Sequence, residues 1–148
     1  MKPYIKIFLV LLFISDCVLT NAQTNNPIQV LEQGRKTSIR GMSVVTDKIV
    51  WVSGSGGSVG KSVDGGKTFN WITVKGYEKR DFRDIEAYNQ NTAIIMAVAE
   101  PALILKTTDG GENWYKVFED STKGMFLDAM HTEAKTIQVI GDPINGKA

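Results

Sequence analysis

The chain has 148 residues, a length that fits one domain, and its 17 basic and 16 acidic residues give a formal charge of +1. This balance gives no indication of a nucleic-acid partner or of binding to an anionic membrane surface. Functions that depend on a strongly charged surface are therefore disfavoured.

Residues 1–22 have the features of a secretory signal peptide. Lys2 and Lys6 form a basic start, an apolar stretch runs from Ile7 to Ile14, and Thr20-Asn21-Ala22 places small residues before the cleavage point. We therefore expect cleavage after this segment, which makes the mature protein secreted or periplasmic.

Two alternatives to a cleaved leader, a membrane anchor and a lipidated cysteine, fit the sequence less well. A membrane span needs about 20 apolar residues, but this stretch is far shorter and Asp16 interrupts it. Cys17 could be a lipidated cysteine, but the aspartate before it is a poor match to the small residue that lipidation requires. Removal of Lys2, Lys6 and Asp16 with the leader leaves 15 basic and 15 acidic residues and no cysteine. Disulfides then cannot stabilise the mature protein, which depends on packing alone.

The rest of the chain contains a repeat with a 45-residue period. The octet Ser62–Phe69 (Ser-Val-Asp-Gly-Gly-Lys-Thr-Phe) recurs as Thr107–Trp114 (Thr-Thr-Asp-Gly-Gly-Glu-Asn-Trp). Segments upstream of the octets match as well, since Ile39–Val44 corresponds to Phe82–Ala87 and then to Phe126–Met130. An apolar run follows each of these segments, at residues 49–52, 93–98 and 137–140.

Each repeat therefore predicts four short strands separated by turns. No segment beyond the leader keeps a 3.6-residue apolar period, so we expect very little helix. The expected fold is all-β, a β-propeller of four-stranded antiparallel blades.

The octets have a physical role as hairpin turns. Asp-Gly-Gly supplies glycines where positive φ is needed, the aspartate can accept backbone N–H bonds across the bend, and the terminal ring suits packing between blades. We therefore assign structural roles to ten residues: Ser62, Asp64, Gly65, Gly66, Phe69, Thr107, Asp109, Gly110, Gly111 and Trp114.

The octets resemble the Asp-box of sialidase-repeat (BNR) β-propellers, a group that includes sialidases, xyloglucan-cleaving enzymes, sortilin-like receptors and photosystem II assembly factors. The resemblance covers about residues 28–148, and three intervening segments are similar to exported bacterial members: Lys79–Glu86, Ala99–Ala102 and Gly141–Gly146. It implies that the Asp-boxes are peripheral and that ligands bind at the mouth of the central channel.

The repeat predicts about two and a half blades. We expect a linker over 23–37, with a possible ring-closing strand at 28–32, and then blades at about 38–75, 81–119 and, in part, 124–148. Propellers typically close with roughly 4–8 blades. We therefore expect an N-terminal fragment, whose remaining blades belong to the same polypeptide.

Two other patterns are weaker candidates for a site. Gly54–Ser62 is similar to a phosphate-binding loop, but Ser55 stands where the first glycine belongs and a hairpin follows where a helix should begin. His131 is the only histidine, so zinc sites and Cys-His nucleophile pairs are not expected. We expect no metal and no cofactor, since no dinucleotide or haem motif is present.

The candidate functional residues lie in the predicted channel-mouth loops. Glu100 and Asp142 occupy comparable loops and are the candidate catalytic pair of a glycoside hydrolase. Arg83 and Asp84 are candidate ligand-binding residues, although they could instead form a salt bridge between blades. The same loops also contain Arg80, Asp81 and Lys123.

The arginine cluster and tyrosine nucleophile of sialidases cannot be placed on this sequence. We therefore expect a non-enzymatic exported module that binds a protein or a glycan at the channel mouth. A glycan-active hydrolase is the alternative, and a redox enzyme is a weaker one because no cofactor site is visible.

Overall fold

The computed structural model describes residue 30 and residues 36–133 and 136–144. The expected leader lies outside the described residues, as does the expected ring-closing strand apart from Val30. Within the described part of the chain, every regular element is a β-strand, and none is a helix that could cross a membrane.

The described strands form three antiparallel sheets. The first sheet has the order β1-β2-β3-β4, the second β5-β6-β7-β8, and the third pairs β9 with β10. The bounds are β1 Ile39–Val44, β2 Val50–Gly54, β3 Ser58–Ser62, β4 Asn70–Thr73, β5 Phe82–Ala87, β6 Ala93–Ala97, β7 Ala102–Thr107, β8 Tyr115–Asp120, β9 Leu127–Glu133 and β10 Thr136–Gly141. This confirms an all-β fold of two complete blades and half of a third.

The apolar runs of the first two blades form the buried strands β2 and β6, and β6 is buried on both faces. In β6, Ala93 and Ile95 belong to the cluster between the first two blades, which also contains Trp51. Ile94 and Met96 of the same strand belong to the cluster between the second and third blades. Because side chains alternate along a strand, a continuous apolar run suits a sheet that is packed between two others.

The blades approach each other most closely along their first strands. β1 contacts β5, and β5 contacts β9, so the sheets fan outward from these three inner strands. A Cβ atom on Gly41 would lie 2.8 Å from Asp84 Cα, so the glycine is required for this close approach. The inner strands therefore form the wall on which a central channel would be built.

An equivalent backbone hydrogen bond lies near the start of each blade. The N–H groups of Ser55 and Val98 donate to the carbonyls of Ser38 and Asp81 at 3.0 and 3.1 Å. Asp142 N–H donates to Phe126 C=O at 2.9 Å in the third blade. Loops β2–β3 and β6–β7 and the connections between blades therefore share one end, called the mouth end, and the Asp-boxes lie at the other.

The strand register corrects one detail of the sequence alignment. Leu127, rather than Phe126, occupies the position of Phe82, because Leu127 pairs with Gly141 as Phe82 pairs with Ala97. Leu127 is buried against the second blade, whereas Phe126 is exposed. A shift of one residue exchanges the two faces of a strand, and two adjacent apolar residues hide that shift in the sequence.

Candidate functional site

The first Asp-box is a closed network of hydrogen bonds around Asp64. Its Oδ1 accepts the Ser62 hydroxyl at 2.8 Å and the Thr68 N–H at 3.0 Å, and its Oδ2 accepts the Thr68 hydroxyl at 2.7 Å. Ser62 Oγ in turn accepts the Gly66 N–H at 2.8 Å. Several hydrogen bonds lower the pKa of Asp64 to about 2, and the bond from the Thr68 hydroxyl has the largest effect.

The second Asp-box repeats this network with different side chains. Asp109 Oδ1 accepts the Thr107 hydroxyl at 2.8 Å and the Asn113 N–H at 3.0 Å, while Oδ2 accepts Asn113 Nδ2–H at 2.8 Å. The backbone bond from Asn113 is the main cause that lowers the pKa of Asp109 to about 2. Gly110 and Gly111 have φ of 79° and 95°, values that disfavour any residue with a side chain.

Each Asp-box also holds its own blade together. Gly65 N–H donates to Lys48 C=O and Gly110 N–H to Asn91 C=O, both at 2.9 Å. These carbonyls belong to the β1–β2 and β5–β6 loops, at the end opposite to the mouth. The two carboxylates therefore stabilise the turns and lie at the end of the blades opposite to the mouth.

The two Asp-box aromatic residues pack differently. Trp114 packs against the cluster between the first two blades and donates its indole N–H to Gly111 C=O at 3.1 Å. Phe69 lies on Trp71 of its own blade, with 5.7 Å between ring centroids. Only Trp114 contributes to packing between described blades.

The segment similar to a phosphate-binding loop is a hairpin that ties two blades together. The segment begins at the last residue of β2 and ends with β3, these two strands are antiparallel, and no helix follows them in the described chain. Lys61 Nζ donates to the carbonyls of Gly110 and Gln90 at 2.9 and 3.2 Å. Nζ also lies 5.1 Å from the centre of the Trp51 ring, so the lysine serves the interface rather than a phosphate.

Arg80 is hydrogen-bonded to the β6–β7 loop at the mouth end. Its guanidinium donates to the carbonyls of Ala99, Glu100 and Pro101 at 2.6 to 2.8 Å. The Glu100 carboxylate accepts the Gly124 N–H at 2.6 Å. Burial lowers the pKa of Arg80. The Glu100 carboxylate therefore accepts a hydrogen bond that links this loop to the β8–β9 connection. Lys123 lies in the same connection and is exposed.

Asp142, the other candidate carboxylate, lies beside an apolar groove of about 690 Å³ between the second blade and β10. The groove is lined mainly by Ile104, Val117, Phe118, Phe126, Val139 and Ile140. These apolar side chains do not supply the second acid or base that glycoside hydrolysis needs.

His131 is exposed, and its Nδ1 lies 4.0 Å from Glu86 Oε1. Burial is the main cause that raises the pKa of Glu86, and the neighbouring charge of Asp84 adds to it. Among the described residues, no group of three or more His, Cys, Asp or Glu side chains is placed to hold a metal ion.

The inner strands carry a polar cleft of about 510 Å³. Arg40 and Arg83 line it from equivalent positions of β1 and β5, and their side chains are 37% and 41% exposed. Arg83 Nη2 lies 2.6 Å from Asp128 Oδ1, and Arg40 Nη2 lies 3.4 Å from Asp81 Oδ2. Both guanidinium groups can therefore be reached from solvent.

Asp84 does not pair with Arg83. Its Oδ1 accepts the Ile85 N–H and its Oδ2 accepts the Met130 N–H, both at 2.8 Å. The carboxylate thus satisfies backbone donors of two inner strands and joins the second blade to the third. Arg40 is not among the predicted ligand-binding residues, although the alignment of Ile39–Val44 with Phe82–Ala87 places it at the position equivalent to Arg83.

Comparison with known proteins supports this architecture. A family model described as Photosynthesis system II assembly factor YCF48 matches residues 20–124. A solved structure titled "YCF48 bound to D1 peptide" is 24% identical with a TM-score of 0.59, and the match covers 70% of this chain and 34% of that one. A solved structure of YCF48 from Cyanidioschyzon merolae is 16% identical with a TM-score of 0.59, and the match covers 74% of this chain and 36% of that one.

The chain therefore spans about a third of the length of these solved structures. At this level of identity, the likeness to them shows the fold. A search of the curated proteins finds no match.

Proposed function

The chain belongs to the Photosynthesis system II assembly factor YCF48 family, and from this premise we propose that it is a non-enzymatic module that binds a peptide segment of a partner protein. A related structure contains a D1 peptide bound to YCF48, which supports a peptide rather than a glycan as the ligand. The partner of the present chain is defined by chemistry, as a segment that carries a carboxylate.

The observation that carries this proposal is the pair of equivalent arginines in the inner-strand cleft. Arg40 and Arg83 present planar, permanently charged donors that suit bidentate binding of carboxylates. Each is held by one aspartate at an exposed position, where such pairs contribute little stability. A carboxylate of a peptide could therefore replace Asp128 or Asp81 at low cost.

No comparable observation favours hydrolysis. Glu100 already accepts a backbone N–H, and Asp142 lies beside an apolar groove. The hydrolase and redox alternatives therefore have no support from the described residues.

We further propose that the protein is exported. The basic and apolar pattern of residues 1–22 supports this. The family match begins at residue 20, close to the expected cleavage point, which is consistent with a leader that lies outside the propeller.

The proposal can be tested by fluorescence anisotropy with labelled peptides. The panel contains the D1 peptide of the related structure and random decapeptides with free or amidated C-termini. We expect Arg40→Ala and Arg83→Ala each to weaken binding about tenfold, the effect of losing one charge-assisted contact of about 1.4 kcal/mol.

Asp128→Asn should strengthen binding, because it releases Arg83 from its internal partner. Lys123→Ala is the matched control, since this exposed cation lies outside the cleft. The proposal fails if no peptide binds, or if the arginine variants bind as tightly as the control.

A further inference from the structure

The three inner strands bring polar side chains to the channel wall in two rows. Each strand has a register shift that leaves one residue without a paired partner, and these residues form the row at the mouth end: Arg40, Arg83 and Asp128. Irregularities of this kind redirect a side chain, and all three residues line the polar cleft. Three residues further along the strands, at positions equivalent by register, lie Ser43, Glu86 and His131. We call these three residues the deep row.

Glu86 is the charged member of the deep row that has no cation partner. Its side chain is 27% exposed, and no lysine or arginine in the described part of the chain forms an ion pair with it. His131 Nδ1 lies 4.0 Å from Glu86 Oε1, which is too far for a hydrogen bond. Burial and the charge of Asp84 raise the pKa of Glu86, and the imidazole offsets this only in part. The carboxylate is therefore not balanced by the chain itself.

The surroundings of Glu86 along the wall are present in the described chain. β5 lies between β1 of the first blade and β9 of the third, and it contacts both. The Ala87 N–H donates to Ser43 Oγ at 3.0 Å, and the Met130 N–H donates to Asp84 Oδ2 at 2.8 Å. These bonds fix the backbone on both sides of Glu86. Its exposed part therefore faces the channel rather than the side of a blade that another blade would cover.

We propose that Glu86 forms a second subsite on this wall, which binds a lysine or arginine side chain of the bound peptide. This inference rests on the proposed binding of a carboxylate at Arg40 and Arg83. Arg83 and Glu86 are three residues apart on β5, a separation of roughly 10 Å at about 3.3 Å per residue. An extended peptide has the same rise, so a segment that follows the wall carries its acidic and basic residues about two to four positions apart. Charge complementarity at two points selects such a segment among other acidic peptides.

Fluorescence anisotropy with labelled decapeptide mixtures tests the subsite. Each mixture has blocked ends, one aspartate, one lysine at a defined separation, and random uncharged residues elsewhere; in the matched set, glutamine replaces the lysine. At a separation of two to four positions, we expect the lysine mixtures to bind about fivefold more tightly, the effect of one partly exposed ion pair. Glu86→Gln should remove this preference. Glu112→Gln is the matched control, because it removes the same charge from an exposed residue of the second Asp-box, and it should keep the preference.

Charge reversal separates recognition from a structural effect of the substitution. The Glu86→Lys protein should prefer mixtures in which glutamate replaces the lysine, a reversal that a structural role would not give. Near-UV circular dichroism checks that this variant is folded, and Glu86→Gln decides the question if it is not. Mixtures that bind through Arg83 without distinguishing lysine from glutamine would overturn the second subsite and leave the proposed function standing. Absence of binding, or binding that Arg83→Ala does not weaken, would overturn both.

Discussion

By strand register, Met42 in the first blade occupies the position of Ile85 in the second, and we expect Ile85→Ala and Met42→Ala to have very different effects. Ile85 is 1% exposed. Loss of three buried carbons costs about 2.4 kcal/mol at about 0.8 kcal/mol each, and the cavity left behind should bring the total to about 3–4 kcal/mol. Met42 is 66% exposed, so its removal should change the free energy of unfolding by less than about 0.5 kcal/mol.

Urea unfolding followed by tryptophan fluorescence measures both values, because Trp51 is fully buried between the first two blades. Unchanged m-values would show that both variants unfold from the same compact state. Equal losses for the two variants, or a loss below about 1 kcal/mol for Ile85→Ala, would refute the packing of blade on blade.

Two further predictions concern the Asp-boxes and the lysine between blades. The folded-state pKa of Asp64 and Asp109 is about 2 against an ordinary 3.8, so their stabilisation is complete above about pH 4 and is lost as the pH falls toward about 2. Asp64→Asn and Asp109→Asn should flatten this acid limb in circular dichroism titrations, and limbs identical to that of the unaltered chain would contradict the assignment. Lys61→Met keeps the apolar stem but removes the bond to Gly110, and should cost about 1–2 kcal/mol in urea unfolding. Lys106→Met, at the equivalent position of the second blade, is the control, and an equal loss there would argue against the role of Lys61.

The fold class could be predicted because its determinants are local. An Asp-Gly-Gly bend is specified within eight residues, and the apolar runs between bends define strands. The register of β9 could not be predicted in the same way, since Phe126 and Leu127 are both apolar and either could face the second blade. Only the pairing of Leu127 with Gly141 decides between them.

The candidate site was predicted less completely. The sequence predicts Arg83 and Asp84 as ligand-binding residues, but their partners lie about 45 residues away in the third blade: Asp128 for the arginine and the Met130 N–H for the aspartate. The sequence does not indicate Arg40, because its contribution to the cleft depends on its position beside Arg83 of the next blade. A polar residue in a loop does not reveal from sequence whether its donors and acceptors are already satisfied.

The amino-acid sequence by itself determines the blade: its turns, its strands and the repeat that makes Ser62–Phe69 equivalent to Thr107–Trp114. The tertiary structure decides what each blade does to its neighbour, including which apolar face is covered, which carboxylate is used by the backbone and which arginines remain accessible. The physical reason is the distance along the chain over which each interaction acts. Turn geometry and strand alternation act over a few residues, whereas the contacts that assign Ile85 to a core and Met42 to a surface depend on whether another sheet lies against them.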